Sequence, residues 1–121
     1  MPFAPTILKE RAEEYLINPK KFFAPYMIMA FSTTELGAKH FAASIHPYDL
    51  TARPQIIKEE WNPEYYSLIK SFEEKTGVGG ILNTSFNLHG EPIVCSPQDA
   101  LHTFENSALD GLSIGLYYIS K

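Results

Sequence analysis

The 121-residue chain is 45% hydrophobic and carries a formal net charge of −4. That is enough apolar material for one buried core and hardly for two, so a single compact domain is expected. Beyond Lys20-Lys21 there is no basic cluster, which excludes the broad cationic surface of nonspecific nucleic-acid binding; any anion must be held locally. No apolar run approaches the roughly 20 residues of a membrane span and the N-terminus lacks a secretion pattern, so a cytoplasmic location without membrane attachment is expected. The single Cys95 cannot form an internal disulfide, in keeping with a reducing compartment.

In chain order, Ile7, Leu8, Ala12, Tyr15 and Leu16 recur at helical spacing with charged residues between them, which predicts an amphipathic helix over about 6–16, ended by Asn18-Pro19. Tyr26 to Phe31 is continuously apolar and predicts a short strand covered on both faces, with a helix as the alternative. Phe41 to Ile45 and Ala52 to Ile57 are extended candidates joined by a turn at His46–Asp49, and Pro54 places the second at a sheet edge. Asn62 and Pro63 open the clearest helix, which runs to about Lys75 on a stripe of Tyr65, Leu68, Ile69 and Phe72 and closes at Gly77. Gly79 to Leu82 reads as the end of a buried strand. Ile93-Val94-Cys95 follows a polar loop, Ser96-Pro97-Gln98-Asp99 starts another helix, and Leu112 to Ile119 is a last strand. Intermingled strands and helices predict an α/β or α+β fold, a twisted mixed sheet with flanking helices.

Two runs carry candidate chemistry. Arg53, in Thr51-Ala52-Arg53-Pro54-Gln55, offers a permanently charged planar fork suited to a phosphate or carboxylate; a surface salt bridge is the alternative. Gln55 would share its strand face and add an amide contact. In the loop after the buried strand, Asn83, Thr84, Ser85, Asn87, His89 and Glu91 concentrate amides, hydroxyls, an imidazole and a carboxylate. Such a turn can aim backbone N–H groups and hydroxyls at one anion, with Gly90 permitting close approach, although the same residue types also stabilise ordinary turns. The four histidines have no metal-ligand spacing, so no metal site is expected on this chain. Cys95 reads as a small buried hydrophobe, or as a thiol of lowered pKa before a helix cap. The acidic residues Glu10 to Glu14 and Glu59-Glu60 read as solvated faces, and Tyr65, Tyr66, Phe72, Phe104, Tyr117 and Tyr118 as core or interface residues.

Taken together, PFAPTIL at 2–8, TARPQ at 51–55, NPEYYSLI at 62–69, TGVGGILNTSFNLHGEPIVCSPQDAL at 76–101 and LDGLSIG at 109–115 resemble the C-terminal domain of the NodU/CmcH-type carbamoyltransferases, over nearly the whole chain and in the same order. The resemblance implies a YrdC-like fold that binds ATP and carbamoyl phosphate, with magnesium, and forms carbamoyl-adenylate. A metal-binding, actin-like ATPase-type N-terminal domain of the same parent chain then passes the carbamoyl group to a hydroxyl of a small molecule. By the same resemblance Arg53 contacts phosphate or the carbamoyl-adenylate as a catalytic residue with Ser85, Ser85 and Asn83 line the same pocket, and Asn87 and Glu91 are weaker carry-overs; Thr84, Gln55 and His89 are added as cofactor-binding candidates on their own chemistry. The chain starts at Met1 without the family's upstream basic segment, so it is expected to be a fragment that alone binds nucleotide weakly and turns over negligibly. The competing expectation is a nucleotide- or partner-binding module that has kept the fold and lost catalysis. His46-Pro47-Tyr48-Asp49-Leu50-Thr51 departs from the family's usual approach to the arginine, and His89 stands where the family commonly has an arginine.

Overall fold

A computed structural model describes residues 3–121 as a mixed α/β chain in two compact units, one ending at Thr84 and the other spanning Ser85–Lys121. Each unit has apolar packing of its own, where composition had suggested a single core. No helix among the described residues is long and apolar enough to cross a membrane.

The first unit is built on the strand β1 (Ala4–Leu8), every residue of which is buried. It lies between β5 (Gln55–Ile57), to which it is parallel, and β6 (Gly80–Asn83), to which it is antiparallel. The helix expected over 6–16 is therefore corrected: it shrinks to a 3₁₀ turn at Lys9–Arg11 and to α1 (Ala12–Tyr15), followed by the short strand β2 (Leu16–Ile17). Pro5 has no N–H for a helical ladder, Thr6 and Ile7 favour extended backbone, and a strand buried on both faces shows no alternation to distinguish it from a helix.

A second sheet pairs β2 with β3 (Phe31–Thr33) and β3 with β4 (Thr51–Ala52), all antiparallel. The strand expected at Tyr26 to Phe31 is thus displaced to Phe31–Thr33. Upstream of it Met27 sits at φ 56° and Ile28 is 79% exposed, so the apolar run is a surface loop. Phe41 to Ile45 is also not extended. The helix α2 (Glu35–His40), capped by the Thr34 hydroxyl, leads into a 3₁₀ turn at Ala42–Ser44. The extended segment Ala52 to Ile57 is broken at Arg53-Pro54, where the chain leaves one sheet and joins the other; both β4 and β5 are edge strands, as the proline required.

Helix α3 (Pro63–Thr76) has the expected Asn62 cap, Pro63 start and left-handed Gly77 end. Side chains alternate across β1, so Thr6 and Leu8 face one way and Ile7 the other. Leu8 packs with Ile57, Ile69 of α3, Tyr65 and Ile81. Ile7 joins Tyr15, Phe31, Phe41 and Ile56 on the opposite face. The stripe of α3 is narrower than expected, for Leu68 and Phe72 are exposed.

In the second unit, α4 (Pro97–Glu105) opens with a complete capping box between Ser96 and Asp99. The single strand expected at Leu112 to Ile119 is a hairpin, β7 (Gly111–Ile114) and β8 (Tyr117–Ser120), turning at Gly115 with φ 57°. Ala100, Phe104 and Leu112 form its core, while Tyr117 and Tyr118 stand in solvent.

Candidate functional site

The first unit collects Gln55 and Asn83 and leaves Arg53 two residues away without a counterion. β1 and β5 pair Thr6 with Gln55, and β1 and β6 pair Ala4 with Asn83. The small Ala4 side chain lets the two amides meet across the central strand. Asn83 Nδ2 donates to Gln55 Oε1 at 3.0 Å, and Thr6 Oγ1 donates to the same oxygen at 3.1 Å. The Tyr65 hydroxyl, from the first turn of α3, in turn donates to Thr6 Oγ1 at 3.1 Å. Met27 Sδ lies 3.8 Å from Asn83 Nδ2. Thr6, Tyr65 and Met27 are absent from the sequence-based site. An alternating reading of Thr6-Ile7-Leu8 as a strand would have placed Thr6 beside Leu8 on the α3 face.

Arg53 is half-buried and has no hydrogen-bond or ion-pair partner among the described residues, so the alternative of a salt bridge does not describe it. A half-buried guanidinium with no carboxylate facing it is the electrostatic condition for taking up an external anion. Its approach loop is built by turns. Leu50 has φ 54° and its carbonyl accepts from the backbone N–H of Thr33 and, at 2.8 Å, from the Thr33 hydroxyl. Asp49 accepts from the Thr51 hydroxyl and backbone N–H, which with His46 nearby hold its carboxyl below the usual range. The first unit also has a cleft of about 450 Å³ lined by Lys9, Glu10, Lys58, Glu59, Glu60 and Tyr66. Its carboxylates outnumber its ammonium groups, so it is a poor receptor for polyphosphate.

The remaining candidates behave differently. Thr84 is exposed at the end of the first unit, and Ser85, at the start of the second, is exposed as well; neither hydroxyl has a partner among the described residues. Asn87 spends its amide hydrogens inside its own turn, donating to the carbonyls of Leu88 and Glu91 at 3.0 and 2.9 Å. Glu91 lies 3.7 Å from His102, and His89 is exposed. Cys95 is exposed rather than buried, and its pKa is raised, not lowered: the Asp99 carboxylate accepts a hydrogen bond from the thiol and repels the thiolate. No group of three or more His, Cys, Asp or Glu among the described residues is placed to hold a metal ion.

The mixed α/β chain thus carries a half-buried guanidinium without an ion-pair partner among the described residues and, two residues on, an amide hydrogen-bonded across the sheet to a second amide. The chain belongs to the carbamoyltransferase C-terminus family, which matches residues 1–121. It is 45% identical, over its whole length, to an uncharacterized protein of Methanocaldococcus jannaschii, of which it covers 23%. The nodulation protein NolNO of Sinorhizobium fredii is 40% identical over 99% of the chain, which covers 18% of that protein. The 3'-hydroxymethylcephem-O-carbamoyltransferase of Amycolatopsis lactamdurans is 27% identical over 78% of the chain, which again covers 18% of it. The chain therefore spans about a fifth of the length of the relatives it matches.

Proposed function

We propose that this domain binds ATP and carbamoyl phosphate as substrates and serves carbamoyl-adenylate formation, within a YrdC-like fold, in a cytoplasmic O-carbamoyltransferase whose larger N-terminal part delivers the carbamoyl group to a hydroxyl acceptor. The observation that carries this reading is Arg53, half-buried and without a counterion, in a chain of the carbamoyltransferase family. Water takes up the phosphoryl group of carbamoyl phosphate, giving inorganic phosphate and carbamate, and a carbamate oxygen then bonds to the α-phosphorus of ATP as the bond to pyrophosphate breaks. Negative charge gathers on the departing groups, and a fixed guanidinium aimed at it stabilises the transition state more than the ground state. Arg53 takes that role, with Gln55 and Asn83 as neutral contacts. In the second unit, the hydroxyl of Ser85 is free to donate to the same class of anion. Magnesium fits as a companion of the nucleotide, since it binds largely through substrate phosphates and water, and it would supply charge neutralisation there.

In the full-length carbamoyltransferase polypeptide, Arg53→Ala should lower carbamoyl-adenylate formation, followed by pyrophosphate release, more than tenfold, because a hydrogen bond from a charged donor to an anion is worth about 1.5–3 kcal/mol. Unchanged rates would remove Arg53 from the site. For residues 1–121 alone, calorimetry should find weak ATP binding; tight binding with pyrophosphate release would contradict this assignment of labour.

A further inference from the structure

The four-residue hydrogen-bond chain across β5, β1 and β6 runs from Tyr65 through Thr6, and from Asn83, to the Gln55 carbonyl. Asn83 Nδ2 faces two acceptors, Gln55 Oε1 at 3.0 Å and Met27 Sδ at 3.8 Å. Turning both amides over would reverse the chain and exchange the Asn83 N–H contact with the sulfur for a carbonyl facing it, and in either sense one amide donor and one amide acceptor are left over. With the Asn83 nitrogen facing the sulfur, the group of Gln55 that faces it is the oxygen. Thr6 then donates to that oxygen, and Tyr65 donates to Thr6. Thr6 is fully buried, so its hydroxyl has no water to turn to. Two groups remain unused by any described residue: the Gln55 Nε2 donor and the Asn83 Oδ1 acceptor, one on each side of the shared hydrogen bond. Neither is sealed off, because no buried side-chain nitrogen or oxygen lacks a partner among the described residues.

A fixed donor next to a fixed acceptor is the complement of a carboxamide, whose carbonyl accepts and whose NH₂ donates. We infer that Gln55 and Asn83 recognise the carbamoyl end of carbamoyl phosphate, and that Thr6 and Tyr65 are positioning residues that lock Gln55 in the orientation needed. The inference rests on the reading of Arg53 as the anchor of the phosphate end. It makes this pair the element that rejects acyl phosphates without an NH₂ group, since an analogue bearing a methyl leaves Asn83 Oδ1 unpaired.

The test is an NMR titration of the native chain, following the Gln55 and Asn83 side-chain amides, with carbamoyl phosphate, acetyl phosphate and inorganic phosphate. Carbamoyl phosphate should bind about tenfold more tightly than acetyl phosphate and move both side-chain signals, which inorganic phosphate leaves in place. Thr6→Val should bring the ratio towards one with inorganic phosphate binding unchanged, and Thr6→Ser should restore it. Tyr65→Phe, which removes one hydroxyl and keeps the ring, should lower the ratio without altering the core residue Thr6. Equal affinities for the two acyl phosphates in the native chain overturn the inference but leave Arg53 as a phosphate anchor. An unchanged ratio in both Thr6→Val and Tyr65→Phe removes the positioning roles. Binding of none of the three anions overturns the reading of Arg53 as well.

Discussion

One oxygen of Asp99 accepts three hydrogen bonds, from the backbone N–H of Cys95 at 3.2 Å, the Cys95 thiol at 3.4 Å and the backbone N–H of Ser96 at 3.0 Å. Bonding to Ser96 first, and then to Cys95, holds the Asp99 carboxyl below its ordinary range, while its bond and its charge push the Cys95 thiol up. Thiolate is the reactive form, so Cys95, although exposed, should alkylate more slowly with iodoacetamide at pH 8 than a cysteine in an unstructured peptide. Asp99→Asn removes the charge and should speed the reaction by about two- to fivefold. An unchanged rate would show that the carboxylate does not govern the thiol. The capping box that creates this arrangement was legible in Ser96-Pro97-Gln98-Asp99, because cap chemistry is local. The exposure of Cys95 was not, since Ile93-Val94-Cys95 has the composition of a strand and only tertiary placement leaves it as a loop. Arg53 was legible as a charge on an apolar segment, but its lack of a partner is a property of the fold.

At the scale of elements, what was legible depended on whether the signal was local. Helix α3 follows from its own cap, proline and closing glycine. Helix α2 is not legible locally, because its residue Gly37 answers to a segment far away in sequence. A Cβ at Gly37 would lie 2.2 Å from the backbone carbonyl oxygen of Tyr15, and backbone cannot swing aside as a side chain can. The same region is tied by the Thr34 hydroxyl to Glu14 and by the Thr34 N–H to Tyr15, at 2.6 and 3.0 Å. Gly37→Ala, nominally favourable in a helix, should therefore destabilise the protein by about 1–3 kcal/mol, the usual cost of overpacking. Gly77 provides the control. Nothing lies within 4 Å of a Cβ there and only its φ of 74° opposes substitution, so Gly77→Ala should cost about 1 kcal/mol through conformation alone. Urea unfolding of the two variants checks the order; a larger loss at Gly77 would contradict the close-approach argument.

Over the whole molecule, the charges of the N-terminal segment that resemble a solvated helix face form a network with α3. Arg11 is bonded to Glu14 and Glu73, Lys70 bridges Glu73 at 2.6 Å and Glu10 at 3.3 Å, and the Tyr66 hydroxyl donates to Glu10. No sequence period could pair Arg11 with a residue 62 positions away; the contact exists because β1 and α3 pack on one another. Glu73 is the most enclosed member, its side chain 12% exposed. Lys70 first, and then Arg11, outweigh its burial and hold its carboxyl below the ordinary 4.5. A carboxylate with a lowered folded-state pKa contributes stability that is complete above its unfolded value and is lost as pH falls through the folded one. Lys70, raised above 10.5 chiefly by Glu73, contributes in the opposite sense: its share is present below that value and is lost only in strong alkali. Stability should thus be level in this network's contribution from pH 6 to 8 and fall below about pH 4.5. Glu73→Gln should cost about 1.5–3 kcal/mol at pH 7, the worth of a hydrogen bond between charged groups. The difference between native and variant should shrink as the pH falls below 4.5, where the unfolded chain takes up the proton before the folded one. Urea midpoints measured across this range decide the matter: a gap that stays constant down to pH 3 would mean that Glu73 acts by shape and not by charge.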